Sequence, residues 1–169
     1  MIKLMAVMGV AALVLGGCAA MPMGGATPDA TETLSVSVGP CFGFCPVYKV
    51  SMTPQGLVSY DGERHTAVLG ARTLDKGPRG YRAVSQKLSA FKPTRGQTAD
   101  TQCEQRISDQ QHYRIVWTAA DGTETVLQHD KGCRSPANDQ LNKVLESLPQ
   151  TLGISDWAKQ ETRPGVSRG

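Results

Sequence analysis

The residue types in this sequence that could carry chemistry are five cysteines and three histidines. Cys41 and Cys45 are the closest cysteine pair, with three residues between them. That spacing differs from the C-x₂-C of thioredoxin-like redox motifs. Pro46 and a strand pattern follow, so the helix N-terminus that lowers a thiol pKa in such motifs is not expected here. Because no histidine follows Cys45, haem attachment is also excluded.

The chain begins with a leader that is typical of an exported protein. Lys3 gives a short positive start, and residues 4–15 form an uncharged apolar run. This run is too short to span a bilayer, which needs about 20 residues. Leu15-Gly16-Gly17-Cys18 resembles the lipobox of bacterial lipoproteins, in which the cysteine is acylated and becomes the mature N-terminus. A plain cleaved secretory signal and a retained anchor helix are the alternatives. Ala19, instead of Asp, favours the outer membrane over the inner one.

The leader also sets the predicted domain boundaries. Residues 1–17 are predicted to be a lipoprotein signal peptide, and residues 18–32 to be the lipidated cysteine and a flexible tether. Residues 33–158 are predicted to form the folded domain, and residues 159–169 a disordered tail. Loss of Lys3, the one charge of the leader, lowers the formal net charge from +3 to +2. Because this charge is close to neutral, no nucleic-acid partner is expected.

The four cysteines beyond Cys18 can be interpreted in three ways. Cys41 and Cys45 could form half of a zinc or copper site, which needs two more ligands. The candidate ligands are Cys103, Cys133, His65, His112 and His129. The histidines lack a metal-like mutual spacing, and each is expected at a strand edge or on the surface. An even number of cysteines in an oxidising compartment favours disulfides over metal or redox chemistry. We therefore expect structural disulfides, with no metal and no cofactor.

Four cysteines allow three pairings. We favour Cys41–Cys45, because Gly43 can adopt a positive φ and turn the short loop back on itself. We pair Cys103 with Cys133. A two-residue type I′ turn at Asp121-Gly122 would place Cys133 opposite Gln110, a few residues after Cys103.

No catalytic residue is predicted. The sequence contains no G-x-S-x-G, no H-E-x-x-H and no phosphate-binding glycine loop. Serine, histidine and aspartate are all present, but their presence alone does not indicate a triad. We therefore expect that the protein is not an enzyme.

Hydrophobic periodicity predicts an α+β fold. Alternating residues indicate strands at 34–38, 47–52, 57–60 and 65–69, with a break at Asp61-Gly62, and a hairpin of 113–118 with 123–129. Residues 81–91 carry a helical apolar stripe between Pro78 and Pro93. A second helix follows Ser135-Pro136, which suit the N-cap and N1 positions, and is expected to end at Pro149. This order predicts an antiparallel sheet of about five or six strands with two helices packed on one face, stabilised by disulfides.

One segment of the domain resembles a known family. The segment 39–48 contains C-x-G-x-C-P-x-Y, the signature of a family of bacterial extracytoplasmic domains of unknown function. Val50, Gly56 and Tyr60 resemble the hairpin of that family, and His129, Gly132 and Cys133 resemble its H-x-x-G-C segment. The resemblance covers about residues 34–148. This chain departs from the family in its middle section, around 94–111, which is shorter than expected. The resemblance implies the domain boundaries. It implies nothing about activity, because the family has no assigned activity.

Two surfaces are candidate interaction sites. Phe42 and Phe44 either fill the core beneath their loop or form an exposed aromatic tip for a protein, glycan or lipid. Residues 70–95 carry seven cations against Asp75 alone. These cations, which include Arg79, Arg82 and Lys87, either form a solvated helix face or contact anionic lipids or an acidic partner. In the first case we expect the downstream acids Asp100, Glu104 and Asp109 to balance them.

Together these features predict a lipid-anchored protein of the cell envelope that faces the periplasm and acts as a non-enzymatic structural or binding module. The alternative is a small ligand- or metal-binding periplasmic module that uses the Cys41–Cys45 loop. A thiol oxidoreductase is the third hypothesis. The expected partners are the membrane, through the lipid anchor, and either an envelope protein or an anionic lipid surface.

Overall fold

The computed structural model describes residues 31–161, so Cys18 and the predicted signal peptide lie outside the described residues. The strands are β1 (Thr33–Val38), β2 (Val47–Met52), β3 (Leu57–Arg64), β4 (Gly70–Asp75), β5 (Thr98–Asp100), β6 (Gln105–Arg106), β7 (His112–Thr118), β8 (Glu124–Asp130) and β9 (Cys133–Arg134). The helices are α1 (Gly77–Ser89), α2 (Pro136–Leu152) and α3 (Ser155–Ala158). The predicted α+β class is confirmed.

Seven strands form one sheet in the order β4-β3-β2-β1-β7-β8-β5. All neighbours in it pair antiparallel except β5, which runs parallel to β8. β6 and β9 form a separate two-stranded ribbon. The strand count is therefore higher than the five or six expected.

Alternating side chains give the sheet one apolar and one polar face. In β1, Leu34, Val36 and Val38 are buried, whereas Ser35 and Ser37 point to the other side and are half-buried. Successive side chains of the neighbouring strands also point to opposite faces. The row of Ser35 continues with the buried Val116 of β7 and Val126 of β8. We call the side that carries Ser35 and Ser37 the polar face.

The helices cover the apolar face. Tyr81, Val84 and Leu88 of α1 are buried in the core, as predicted from their spacing. α2 contributes the buried stripe Leu141, Leu145, Leu148 and Leu152. Its Ser135 Oγ accepts a hydrogen bond from the backbone N–H of Asn138 at 3.2 Å, as expected of an N-cap.

The sequence predicts that α2 ends at Pro149, but the helix continues to Leu152. Proline removes one backbone donor from the helix. Burial of Leu148 and Leu152 on either side of Pro149 offsets that loss. The helix ends at Gly153, whose φ of 79° is the left-handed conformation that glycine adopts readily.

The predicted strand boundaries after Tyr60 are wrong. β3 continues through Asp61-Gly62 to Arg64, and the following strand is Gly70–Asp75 instead of 65–69. A Cβ on Gly62 would collide with the carbonyl oxygen of Val68, so this glycine permits close packing of two backbones. β4 is an edge strand whose residues are mostly exposed, and it therefore lacks the alternation that reveals a strand in sequence.

The turn between β7 and β8 is not the predicted type I′ turn. Gly122 has a φ of 83°, but Asp121 is not among the residues with positive φ, and a type I′ turn needs positive φ at both. The backbone N–H of Ala119 donates to Thr123, and that of Gly122 donates to Ala119. Thr118 therefore pairs with Glu124, one residue away from the predicted register.

Residues on both sides of the predicted 33–158 domain make contacts with it. Glu32 is buried, although it was assigned to the tether. At the other end, Lys159, Gln160 and Glu161 bond to the connection between β3 and β4, although they were assigned to the tail.

Candidate functional site

The directions of the strands give the domain two distinct ends. β1, β3, β5 and β8 finish at one end, where β2, β4 and β7 begin. We call this the far end; it carries the connections 39–46, 65–69, 101–111 and 131–132. We call the opposite end the tether end, because the chain enters the sheet there at Thr33.

The Cys41–Cys45 loop projects from the far end. Its two cysteines have their Cα atoms 5.7 Å apart and are disulfide-bonded, and Gly43 has a φ of 132°. Phe42 is 87% exposed and Phe44 46% exposed. The Phe44 ring meets His65 edge-on, with the ring centroids 5.3 Å apart. The expectation that one or both rings fill the core is therefore wrong, because the closed loop directs both away from it.

Other apolar side chains are exposed at the same end. Leu69 is 60% exposed and Ile107 49% exposed. Together with Phe42 and Phe44 they account for four of the five large apolar side chains exposed in residues 31–161. Contiguous exposed apolar groups are typical of interaction surfaces, and the far end carries most of the exposed apolar groups of the described residues.

The segment 101–111 crosses the far end, and we call it the crossing segment. The Cys41–Cys45 loop holds one side of it. The backbone N–H of Phe42 donates to the carbonyl oxygen of Asp109 at 3.1 Å. The Gln111 Nε2 donates to the carbonyl oxygens of Pro46 at 2.8 Å and Gly39 at 3.3 Å. The short loop is therefore fixed at its base to the crossing segment.

The segment 129–133 holds the other side of the crossing segment. Cys133 is disulfide-bonded to Cys103, with their Cα atoms 5.0 Å apart. The backbone N–H of Ile107 donates to Gly132 at 2.9 Å. A Cβ on Gly132 would collide with the carbonyl oxygen of Ile107, so only glycine fits there. The structure thus contains the two cysteine pairs favoured from the sequence, although the hairpin register used in that argument was one residue off.

His129 is buried behind the crossing segment, and its expected position at a strand edge or on the surface is wrong. Its Nε2 lies 2.8 Å from Asn142 Oδ1, and its Nδ1 lies 2.9 Å from Thr101 Oγ1. Because the Asn142 amide nitrogen donates to Lys131, its oxygen accepts, which assigns the proton to Nε2 of a neutral ring. Burial lowers the pKa of His129, which is consistent with that assignment.

An open cavity of about 420 Å³ lies beneath the crossing segment. Its floor is the end of the polar face, where Ser37, Arg114, Gln128 and Asp100 form one row across β1, β7, β8 and β5. His112 and Asp130 form the next row, and Arg106 of the crossing segment closes the wall with its guanidinium 3.5 Å from the Asp130 carboxylate.

The cavity combines opposite charges with exposed polar groups that have no partner in the described part of the protein. Within residues 31–161, the side chains of Asp100, His112 and Gln128 make no hydrogen bond or ion pair. Tyr113, the neighbour of Arg114 in β7, points to the opposite, apolar face, where burial raises its pKa to about 12. The arrangement suits the binding of a polar ligand.

The structure does not bring the candidate metal ligands together. Cys103 and Cys133 bond to each other. His112 and His129 lie on paired strands but point to opposite faces of the sheet, and His65 lies in the connection between β3 and β4. Within residues 31–161 no three His, Cys, Asp or Glu side chains converge in a geometry that would hold a metal ion.

The basic segment forms one side of α1 at the tether end. Arg79, Arg82 and Lys87 are exposed on the side away from the buried stripe. Two neighbouring cations have partners, since Lys92 Nζ lies 2.6 Å from Glu32 Oε1 and Arg95 pairs with Asp121. The expected balance by Asp100, Glu104 and Asp109 is therefore wrong. Asp100 lies at the last residue of β5, and Glu104 and Asp109 lie in the segment 101–111 at the far end. Glu32 and Asp121, by contrast, lie beside the basic segment.

Sequence reasoning missed most of the cavity. Alternation in β7 and β8 predicts that Arg114 and Gln128 lie on a polar face. It does not predict that β1 and β5 pair with these two strands. Asp100 and Arg106 belong to a part of the chain with no predicted element. A hydropathy pattern does not reveal them, because both side chains are exposed.

Within residues 31–161, none of the helices has the length and apolar character needed to cross a bilayer.

Fold and site together define an α+β domain whose two disulfides fix a crossing segment over a polar cavity. The chain belongs to the family described as Domain of unknown function (DUF6438), which matches residues 32–151. The resemblance to a domain of unknown function is thus confirmed at this level, and the match begins at the buried Glu32. No curated protein matches the sequence.

Proposed function

We propose that the protein is a lipid-anchored, non-enzymatic binding module of the cell envelope, facing the periplasm, with α1 directed toward anionic lipid headgroups. The observation that carries this proposal is where the chain enters the domain. The carbonyl oxygen of Glu32 accepts a hydrogen bond from the Tyr81 hydroxyl of α1, and its carboxylate pairs with Lys92. The chain therefore reaches the domain beside the basic helix.

An anchor at Cys18 would keep α1 close to the membrane. Fourteen peptide units separate Cys18 from Glu32. A fully extended chain spans at most about 3.6 Å per residue, so Glu32 would lie within about 50 Å of the acylated cysteine. Each contact between a cation and an anionic headgroup is weak, but confinement by the anchor makes weak contacts effective.

The free cations of α1 supply such contacts. Within the described residues, Arg79, Arg82 and Lys87 form no ion pair, so their charges are not neutralised by the protein. With α1 on the lipid surface, the far end would point away from that membrane. The exposed rings of Phe42 and Phe44 would then be presented to partners in the periplasm.

The orientation can be tested with the chain from Ala19 onward, the predicted mature protein without its acylated cysteine. We expect it to bind vesicles that contain anionic phosphatidylglycerol and not neutral phosphatidylcholine vesicles. Binding should fade as salt rises, because exposed charges are screened beyond about 8 Å at physiological ionic strength.

The matched variants carry the same change of net charge at opposite ends. Arg82→Glu with Lys87→Glu should abolish vesicle binding, because it reverses charges on α1 and leaves the buried stripe intact. Arg64→Glu with Lys159→Glu alters exposed cations at the far end and should retain it. If both pairs bind as well as the original chain, α1 is an ordinary solvated face and the proposed orientation is wrong.

A further inference from the structure

We infer that the cavity beneath the crossing segment binds a short peptide through its terminal ammonium and carboxylate groups, a dipeptide being the smallest ligand that fits. This inference is independent of the lipid anchor, since it depends only on side chains at the far end of the domain.

The inference begins with the row of side chains on the cavity floor. Arg114 pairs in register with Gln128, and Gln128 with Asp100, so the three side chains point to the same face from adjacent strands. Neighbouring strands lie about 4.8 Å apart, which separates the Arg114 and Asp100 backbones by about 10 Å. A cation and an anion at that spacing, with an amide between them, complement a dipeptide: carboxylate, peptide amide and ammonium.

Two of the three groups on the floor have no partner, and the third has one exposed partner. The carboxylate of Asp100 and the amide of Gln128 have no partner within residues 31–161. Arg114 lies 3.6 Å from Glu124, but both side chains are about half exposed. Such exposed pairs contribute little, so the guanidinium can turn to a carboxylate, which it binds in a bidentate geometry. Asp130, by contrast, is occupied by Arg106 and by the backbone N–H of Gly132.

The wall of the cavity is fixed before a ligand arrives. The two disulfides, and the hydrogen bonds that the crossing segment donates to the carbonyl oxygens of Gly132, Gly39 and Pro46, hold this segment in place. Preorganisation of this kind lowers the entropic cost of binding. A fixed wall also explains why residues of the C-x-G-x-C-P-x-Y and H-x-x-G-C motifs contact the crossing segment, although this segment contributes no side chain to the core. The cavity, at about 420 Å³, falls within the usual size range of small-ligand sites.

The probe for the test is L-alanyl-L-alanine, and the protein is the chain from Ala19 onward in isothermal titration calorimetry. We expect a dissociation constant of about 1 mM or lower. N-acetylation of the probe removes its ammonium group, and amidation removes its carboxylate. Each change should weaken binding about tenfold or more, because each removes a charge-assisted hydrogen bond.

Two variants test which side chain binds each end of the ligand: Asp100 for the ammonium group and Arg114 for the carboxylate. Asp100→Asn should bind the N-acetylated and free dipeptides equally, and Arg114→Gln should do the same for the amidated and free forms. Asp61→Asn is the matched control, because Asp61 is an exposed aspartate of the same sheet outside the cavity, and it should keep the full discrimination. Thermal unfolding checks that every variant is folded.

The inference is overturned if the free dipeptide fails to bind, or if the free and capped dipeptides bind the original chain equally. It is also overturned if Asp100→Asn or Arg114→Gln, when folded, discriminates as the original chain does. Loss of vesicle binding in the α1 variants leaves the inference untouched, so the two proposals fail separately.

Discussion

At the residue scale, His129 connects three parts of the far end. One ring nitrogen bonds to Thr101 at the start of the crossing segment, and the other bonds to Asn142 of α2. Asn142 in turn donates to Lys131, which lies between β8 and β9. Burial of the ring disfavours the imidazolium and lowers the pKa of His129.

The lowered pKa of His129 makes stability depend on pH. The folded pKa of His129 lies below its ordinary value of 6.5, so below that pH the unfolded chain binds a proton that the folded chain does not. The free energy of unfolding should therefore fall as the pH drops through 6.5 toward the lower folded value. One such proton contributes at most about 1.4 kcal/mol per pH unit. Urea unfolding of the original chain and of His129→Gln, between neutral and mildly acidic pH, measures the slope.

His129→Gln should flatten this dependence, since an amide does not titrate. His112→Gln is the control, because the His112 side chain is exposed and makes no hydrogen bond in the described part of the chain. A slope that persists in His129→Gln would assign the pH dependence to other groups.

At the element scale, the strands that could be predicted from sequence are those buried on one face. β1, β2, β7 and β8 alternate over most of their length because most of their apolar residues face α1 and α2. Val116 and Val126, which are buried on the polar face, interrupt the pattern. β4 has no such pattern because it is an edge strand and is exposed on both sides. The cavity could not be predicted, because it depends on the register of four strands and on the path of the crossing segment.

The two disulfides close loops of different length in the chain. Cys103–Cys133 spans 30 residues of sequence and Cys41–Cys45 spans four. In the chain-entropy model, the longer closure stabilises the fold by about 3.7 kcal/mol and the shorter by about 2 kcal/mol. We expect Cys103→Ala with Cys133→Ala to lower the free energy of unfolding by more than Cys41→Ala with Cys45→Ala. Urea denaturation of the oxidised proteins makes the comparison, and an equal or reversed order would contradict the expectation.

At the scale of the whole molecule, the two ends differ in character. Exposed cations of α1 lie where the chain enters the domain, and exposed apolar rings lie at the opposite end. The sheet connects them, with strands of six to eight residues across most of its width. This polarity has a functional meaning only if the N-terminal segment is attached to a membrane, so Cys18 decides whether the envelope proposal holds.

We predict that Cys18 is acylated and that Cys18→Ser abolishes retention in the membrane. The apolar run before it carries no charge and ends in Leu-Gly-Gly, as a lipobox does. Each buried CH₂ of an acyl chain contributes about 0.8 kcal/mol, so several chains anchor stably where one does not. Fractionation of cells and the intact mass of the protein test this, and Ala20→Ser, which introduces the same residue two positions later, should leave both unchanged. If Cys18→Ser stays in the membrane with the mature mass of the original chain, the cysteine is not the anchor, and α1 would then need another reason to lie at a lipid surface.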